Sequence, residues 1–452
     1  SQVHGSLKID LDQIVDRRAR RFQGDGAGYC WVAMTQAIAD AGLTAKDISN
    51  PRTGLIVGSG GPSTKAIVAA AAGILNRRGI KGMTLADVAA SVDLITTSVT
   101  YYFKKKEDLA VACFLASIER FDTLIAASLG APDPRERLHR FLSLYLDLNR
   151  RIRLGEEAPM AMFNDIRALK EPHLSRVVES YNAMFRRVRT LFHAPCHDGI
   201  DRKMATARAH VLMEQIFWSV AWLGRYDVED YPRIGERMLD ILANGLAKDG
   251  ARWAPPPVTA LAPPGDSARD TFLTAATRLI NQRGYRGASV EKISAQLNVT
   301  KGSFYHHNEA KDDLVVACFA RSFAIMRKVQ SAAMKLPGDQ WDRLAAAAAA
   351  LADYQVSDNG PLLRTSAISA LPEAIRQDVL SQWNRVSDRF SAMISDGIAE
   401  GSLRAVDPVI AAQLLNATLN AAASLTSVVR GADRSEAAAL YAKPMLMGLF
   451  SN

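Results

Sequence analysis

Apolar residues recur at spacings of three and four through two long stretches, 63–250 and 266–452, which predicts helices in both. Ile67, Ala70, Ala71, Ile74 and Leu75 set this pattern in the first stretch. Breakers stand where helices should stop, among them Gly79, Gly82, Pro132, Pro134, Pro172, Gly284, Gly287, Pro337, Gly338, Gly360 and Pro372. Strand-like alternation is confined to residues 53–57. The pattern predicts an all-α chain preceded by a short α/β-like segment.

One block of this pattern is written twice. Residues 70–114 align without a gap on 275–319, a shift of 205 positions, and 15 of the 45 pairs are identical. Asn76/Asn281, Gly79/Gly284, Gly82/Gly287, Ser98/Ser303 and Lys106/Lys311 are shared, and the run Val111-Ala112-Cys113-Phe114 recurs as Val316-Ala317-Cys318-Phe319. Solenoid units repeat every 20–50 residues or so, so a shift this long marks a duplicated domain.

In the second copy a helix over 268–282 ends at Arg283-Gly284, where glycine supplies a left-handed C-cap. A short helix over 289–297 follows, with Ser289 as N-cap and Val290 and Ile293 inward. Asn298 and Val299 make the turn, and a third short helix covers 300–307. Three short helices with a tight turn before the last form a helix-turn-helix layout. The last helix carries Thr300, Lys301, Ser303, Tyr305 and His306 in place of a core stripe. Hydroxyls, lysine and tyrosine suit phosphates and base edges in a major groove. His306 and His307 are adjacent, point about 100° apart on a helix, and have no Cys or carboxylate spaced to complete a metal site. No metal and no cofactor are expected.

Composition narrows the class. The formal net charge of +8 favours polyanionic partners. Cys30, Cys113, Cys196 and Cys318 lie far apart, as small buried hydrophobes in a reducing compartment would. No apolar run approaches the roughly 18 residues of a membrane span, and no secretory segment opens the chain. A cytoplasmic protein with no membrane partner is expected. Five of the 18 prolines crowd into RWAPPPVTALAPPGDS at 252–267, a semi-stiff tether.

The segments RGYRGASVEKISAQLNVTKGSFYHHNEAKDDL and RRGIKGMTLADVAASVDLITTSVTYYFKKKEDL both resemble the N-terminal domain of the TetR family of transcriptional regulators. The resemblance implies a ligand-responsive DNA-binding regulator, a repressor, whose partners are a double-stranded DNA operator and a small-molecule effector. It places DNA contacts on Thr84, Thr96, Thr97, Ser98, Thr100, Tyr101, Tyr102 and Lys106 in copy one. In copy two it places them on Ser289, Thr300, Lys301, Gly302, Ser303, Tyr305, His306 and Lys311. Phe103 keeps the family's aromatic where copy two has Asn308, and Asp93 and Asn298 stand where a turn glycine is usual. Each reader is followed by a stretch long enough for the family's helical effector and dimerisation domain.

The expected order is a segment at 1–62, reader one at 63–110 with its helical domain at 111–250, a linker at 251–266, and reader two at 267–314 with its helical domain at 315–452. Two unlike readers in one chain suggest an intramolecular pseudo-dimer; the rival arrangement is a homodimer presenting four readers. The linker of about 15 residues spans on the order of 45 Å when extended, which permits the first.

The segment LDQIVDRRARRF and the following VAMTQAIADAGLTAKDISNPRTGLIVGSGGPSTK resemble part of a β-ketoacyl-acyl-carrier-protein synthase of the type I/II class. The resemblance covers about 60 residues; Cys30 is outside the nucleophile context, and no later residues match the catalytic cysteine and histidines. No catalysis is expected from it. The alternative reading is a condensing-enzyme derivative that binds acyl groups or acyl carrier protein without catalysis.

Overall fold

The structure, a computed structural model, describes residues 9–16, 25–49, 64–193, 200–259, 268–285, 288, 292, 294–295 and 311–451. These residues are helical almost throughout, and their only β feature is an isolated bridge between Ala247 and Leu403. The α/β-like expectation for the N-terminal segment finds helices among its described residues, α1 (Leu11–Ile14), α2 (Asp25–Asp40) and α3 (Ala45–Ile48). Leu11, Val15 and Val32 form a small apolar cluster there. The alternating run at 53–57 lies outside the described residues. No helix among the described residues is long and apolar enough to cross a membrane.

The chain divides into two compact units, Ser1–Ser117 with Leu148–Phe163, and Ile118–Asp147 with Asn164–Asn452. The first holds reader one: α4 (Thr64–Gly82), α5 (Leu85–Ala90), α6 (Thr96–Tyr102) and the start of α7 (Lys106–Leu129). Gly79, expected as a breaker, interrupts the end of α4 at φ 64°, and Gly284 takes φ 71° at the matching place in copy two, as its predicted C-cap role requires. Ile67, Ala71, Val88, Val99, Leu109 and Phe114 bury their side chains completely or nearly so and hold the three helices on α7.

Helix α8 (Pro134–Leu154) belongs to the second unit as far as Asp147 and to the first beyond it. The second unit then continues through α9 (His173–Thr190), α10 (Arg202–Trp222), α11 (Tyr231–Asn244), α12 (Ala268–Arg283), α13 (Lys311–Ala333), α14 (Gln340–Val356), α15 (Glu373–Glu400) and α16 (Pro408–Ala422). A short α17 (Leu425–Val428), a π-turn at Ala438–Ala442 and α18 (Lys443–Met447) close it. Asp201 and Asp407 cap α10 and α16 by accepting from backbone amides two or three residues on.

Duplication is visible in hydrogen bonds as well as in sequence. In the first unit Asn76 donates to the Met160 carbonyl (2.7 Å) and accepts from the Met162 amide (2.8 Å), while Ser117 accepts from the Ala161 amide (2.8 Å). In the second, Asn281 donates to the Leu362 carbonyl (2.9 Å) and accepts from the Arg364 amide (3.0 Å), while Ser322 accepts from the Leu363 amide (2.9 Å). Each reader's first helix is thereby clamped to an extended stretch of its own half. The thiols of Cys113 and Cys318 face the carbonyls of Val68 and Leu273, again 205 positions apart. Burial pushes the Cys113 thiol up to about 12 and the Cys318 thiol up to about 11, which suits packing and not reactivity.

The two C-terminal bundles share one core. Ala411, Leu414, Leu415, Leu419 and Ala422 of α16 are at most 1% exposed, so this apolar stripe is packed on every side. Against it α10 sends Gln215 to the Leu414 carbonyl (2.8 Å) and the Thr418 hydroxyl (2.9 Å), and Trp218 to Gln413 (3.0 Å). Trp218 also meets Trp383 of α15 edge to face at 5.3 Å. At the far end the chain turns after α11 and α18 pair by backbone: Leu246 donates to the Leu446 carbonyl and Leu449 to the Leu242 carbonyl, both at 2.7 Å. Gly245 and Gly448 sit at this crossing with φ of 72° and 101°.

Candidate DNA-binding surface

Helix α6 buries one residue fully, Val99, and that fixes which side chains look outward. Thr96, Thr97 and Tyr101 are exposed, and Thr100 is half-buried at their side. At 100° per residue, positions 96, 97, 100 and 101 share one face, opposite the side carrying Val99. Tyr101 is 74% exposed, and its ring meets that of Tyr102 edge to face at 5.0 Å. The Tyr101 ring therefore stands on the outward face of α6, away from the side that Val99 buries. Ile95, at the N-cap position of α6, is 71% exposed and extends this face with an apolar contact that sequence reasoning did not single out. Its signal was available: an isoleucine opening a helix whose inward position is four residues later.

Other site residues have duties within the fold. Thr84 caps α5, accepting from the Asp87 amide at 3.0 Å and donating to the Asp87 carboxylate at 2.8 Å. That hydroxyl, with Arg78 adding its charge at 3.1 Å, holds the Asp87 carboxyl below its ordinary range. Thr100 donates back to the Thr97 carbonyl at 3.0 Å, leaving its lone pairs outward. Ser98 is half-buried and its amide closes the first turn on Ile95. The turn before α6 places Asp93 at φ 54°, the left-handed conformation for which the family pattern has glycine and which Asp tolerates.

Lys106 opens α7 and donates to the Lys81 carbonyl at 2.9 Å, which ties α7 to the end of α4 and leaves its charge at the reader's edge beside exposed Lys104 and Lys105. Lys311 repeats the role, donating to the Tyr285 carbonyl with its ammonium 4.2 Å from the centre of the Tyr285 ring. Ser289, Thr300, Lys301, Gly302, Ser303, Tyr305 and His306 lie outside the described residues. No group of three metal-ligating side chains occurs among the described residues.

The family model for bacterial regulatory proteins of the tetR family matches residues 67–113 and 272–318, two stretches separated by the spacing of the internal repeat. The model of the tetracyclin repressor-like C-terminal domain matches residues 337–424. Among curated proteins, 3-oxoacyl-[acyl-carrier-protein] synthase 1 of Haemophilus influenzae is 40% identical over 83 residues, 18% of this chain and 20% of the synthase. Its counterpart in Escherichia coli K12 is 43% identical over 84 residues, 18% of this chain and 21% of the synthase. This chain thus spans about a fifth of the length of those relatives. The transposon Tn10 TetC protein of Escherichia coli is 25% identical over 150 residues, 33% of this chain and 75% of TetC. Among solved structures, apo AibR is 23% identical with a TM-score of 0.33, covering 39% of this chain and 97% of AibR. The TetR-family regulator PfmR of Thermus thermophilus is 22% identical with a TM-score of 0.35, covering 39% of this chain and 98% of PfmR.

Proposed function

This chain is built on two tandem units of the tetR family of bacterial regulatory proteins, and on that premise we propose that it is a ligand-responsive transcriptional regulator that binds an operator as an intramolecular pseudo-dimer. Reader one docks the outward face of α6, so that Thr96, Thr97, Thr100 and Tyr101 meet base edges and phosphates, with Ser98 and Tyr102 at the flanks. Thr84, through its cap, and Lys106 hold the flanking backbone. In reader two the same work falls to Thr300, Lys301, Gly302, Ser303, Tyr305 and His306, with Ser289 and Lys311 flanking. The observation that carries this reading is the single core made by α10 with α16: it joins the two halves through buried side-chain bonds such as Gln215 to Thr418. A family member that pairs within itself needs no second chain to present two readers.

Because Thr96-Thr97 align with Lys301-Gly302, the two operator halves should differ in sequence. Regulation follows as a shift of population: an effector that prefers a state with misplaced readers releases the DNA, as repression requires. The synthase-like stretch spans a fifth of a condensing enzyme, and we assign it no catalytic role. The site of action is the cytoplasm, where the operator is.

Fluorescence anisotropy with labelled operator DNA tests the reading through salt. Neutralising roughly six phosphates predicts about a thousandfold loss of affinity between about 50 and 200 mM salt. An affinity indifferent to salt contradicts DNA binding through these surfaces.

A further inference from the structure

A lone exposed isoleucine on a protein surface is ordinary, so the place of Ile95 matters more than its exposure. It is the N-cap residue of α6, extended at φ −82° and ψ 148°, and follows the turn that Asp93 makes in the left-handed conformation. The backbone on either side is fixed. The Leu94 amide donates to the Ala89 carbonyl at 2.9 Å, and the Ile95 carbonyl accepts from the Ser98 amide at 3.0 Å. The side chain is 71% exposed; apart from Tyr101, no other large apolar or aromatic side chain among the described residues exceeds 50%.

That position asks for a different residue. Ser, Thr, Asp and Asn are favoured at an N-cap because their oxygen accepts from first-turn amides. Thr84 does this for α5, Asp201 for α10 and Asp407 for α16. Ile95 makes no such bond for α6, and its exposure returns little of the loss through burial. Copy two has Thr300 at the aligned position, 205 residues on. The two readers therefore part chemically here: one carries a hydroxyl and a methyl, the other a larger side chain that is wholly apolar.

In a helix-turn-helix the N-terminal residues of the recognition helix meet base edges in the major groove. The apolar group presented there is the 5-methyl of thymine. A β-branched side chain is stiff at χ1, so Ile95 can cover such a methyl with little loss of rotamer freedom. We propose that Ile95 is a specificity-determining residue of reader one: it packs on the 5-methyl of one thymine in that reader's half-site, and α6 forgoes its side-chain cap for this contact. The proposal deepens the DNA-binding reading of α6 and rests on it.

The test takes the operator selected by the full chain and replaces each thymine singly by deoxyuridine, which loses the 5-methyl and keeps every hydrogen-bonding group. Fluorescence anisotropy is expected to find one replacement that weakens binding about fourfold, the worth of one buried methyl. Ile95→Ala should bind the thymine operator at least about fourfold less tightly and be indifferent to that same replacement, because both changes remove one contact. Ile95→Thr restores a capping hydroxyl, so it should melt no lower than the parent while discriminating thymine from deoxyuridine less. Operator binding that no single replacement weakens overturns the proposal and leaves the DNA-binding reading standing. So does a penalty that persists undiminished in Ile95→Ala. A clear fall in the melting temperature of Ile95→Thr also overturns it, since Ile95 would then serve the fold. Absence of operator binding overturns both readings.

Discussion

Gly245→Ala should unfold the protein at markedly lower urea, losing about 3–5 kcal/mol of stability. The residue sits at φ 72° and ψ −159°, a region in which an L side chain is strained before it meets any neighbour. An added Cβ would also collide with the Leu446 carbonyl oxygen and come within 2.5 Å of the Gly448 amide nitrogen, both backbone atoms that cannot swing away. That carbonyl accepts from Leu246 and Ala247, so relief of the clash breaks the pairing that joins the two halves. Gly448→Ala meets the Ala243 carbonyl oxygen within 2.5 Å and should behave alike. Gly250→Ala separates the causes: φ is 82° but nothing stands within 4 Å, so only about 1 kcal/mol should be lost. Urea midpoints for the three variants decide the matter. Equal, small losses at all three positions contradict a close crossing of the two C-terminal ends.

Tyr101→Ala should cost roughly tenfold in affinity for the half-site of reader one, about 1–2 kcal/mol, with stability within about 0.5 kcal/mol of the parent. A ring 74% exposed contributes little to folding, and its removal leaves Val99 and the core of α6 in place. Val99→Ala is the complement: it leaves the outward face intact and empties part of a side chain that is fully buried, so stability falls before contacts do. Paired melting and binding curves distinguish the two. Wild-type affinity in Tyr101→Ala removes the outward face of α6 from the DNA interface.

Local features were legible because local rules set them. The first helix of copy two was expected over 268–282 and spans Ala268–Arg283, since an apolar period and a terminal glycine decide both ends. The left-handed Gly284 follows from C-cap chemistry and the break at Gly79 from its being glycine, whereas the positive φ of Asp93, a residue standing where the family has glycine, needed the structure to show it. Long-range partners were not legible. Asn76 and Asn281 stood out as identical, yet the backbone they clamp lies 84 and 81 residues away, a distance at which a pattern carries no address. The same holds for Glu214 and Asn420, separated by 206 residues. Thr84 illustrates a subtler limit: its residue type suits a phosphate, but the hydroxyl is already engaged by Asp87, and only geometry reveals that competition.

The central claim is that one chain presents two unlike readers to one operator, and selection of bound fragments from random DNA by the purified full chain tests it most directly. The account predicts two different half-sites at constant spacing. A perfect palindrome, bound alike by both halves, would contradict it.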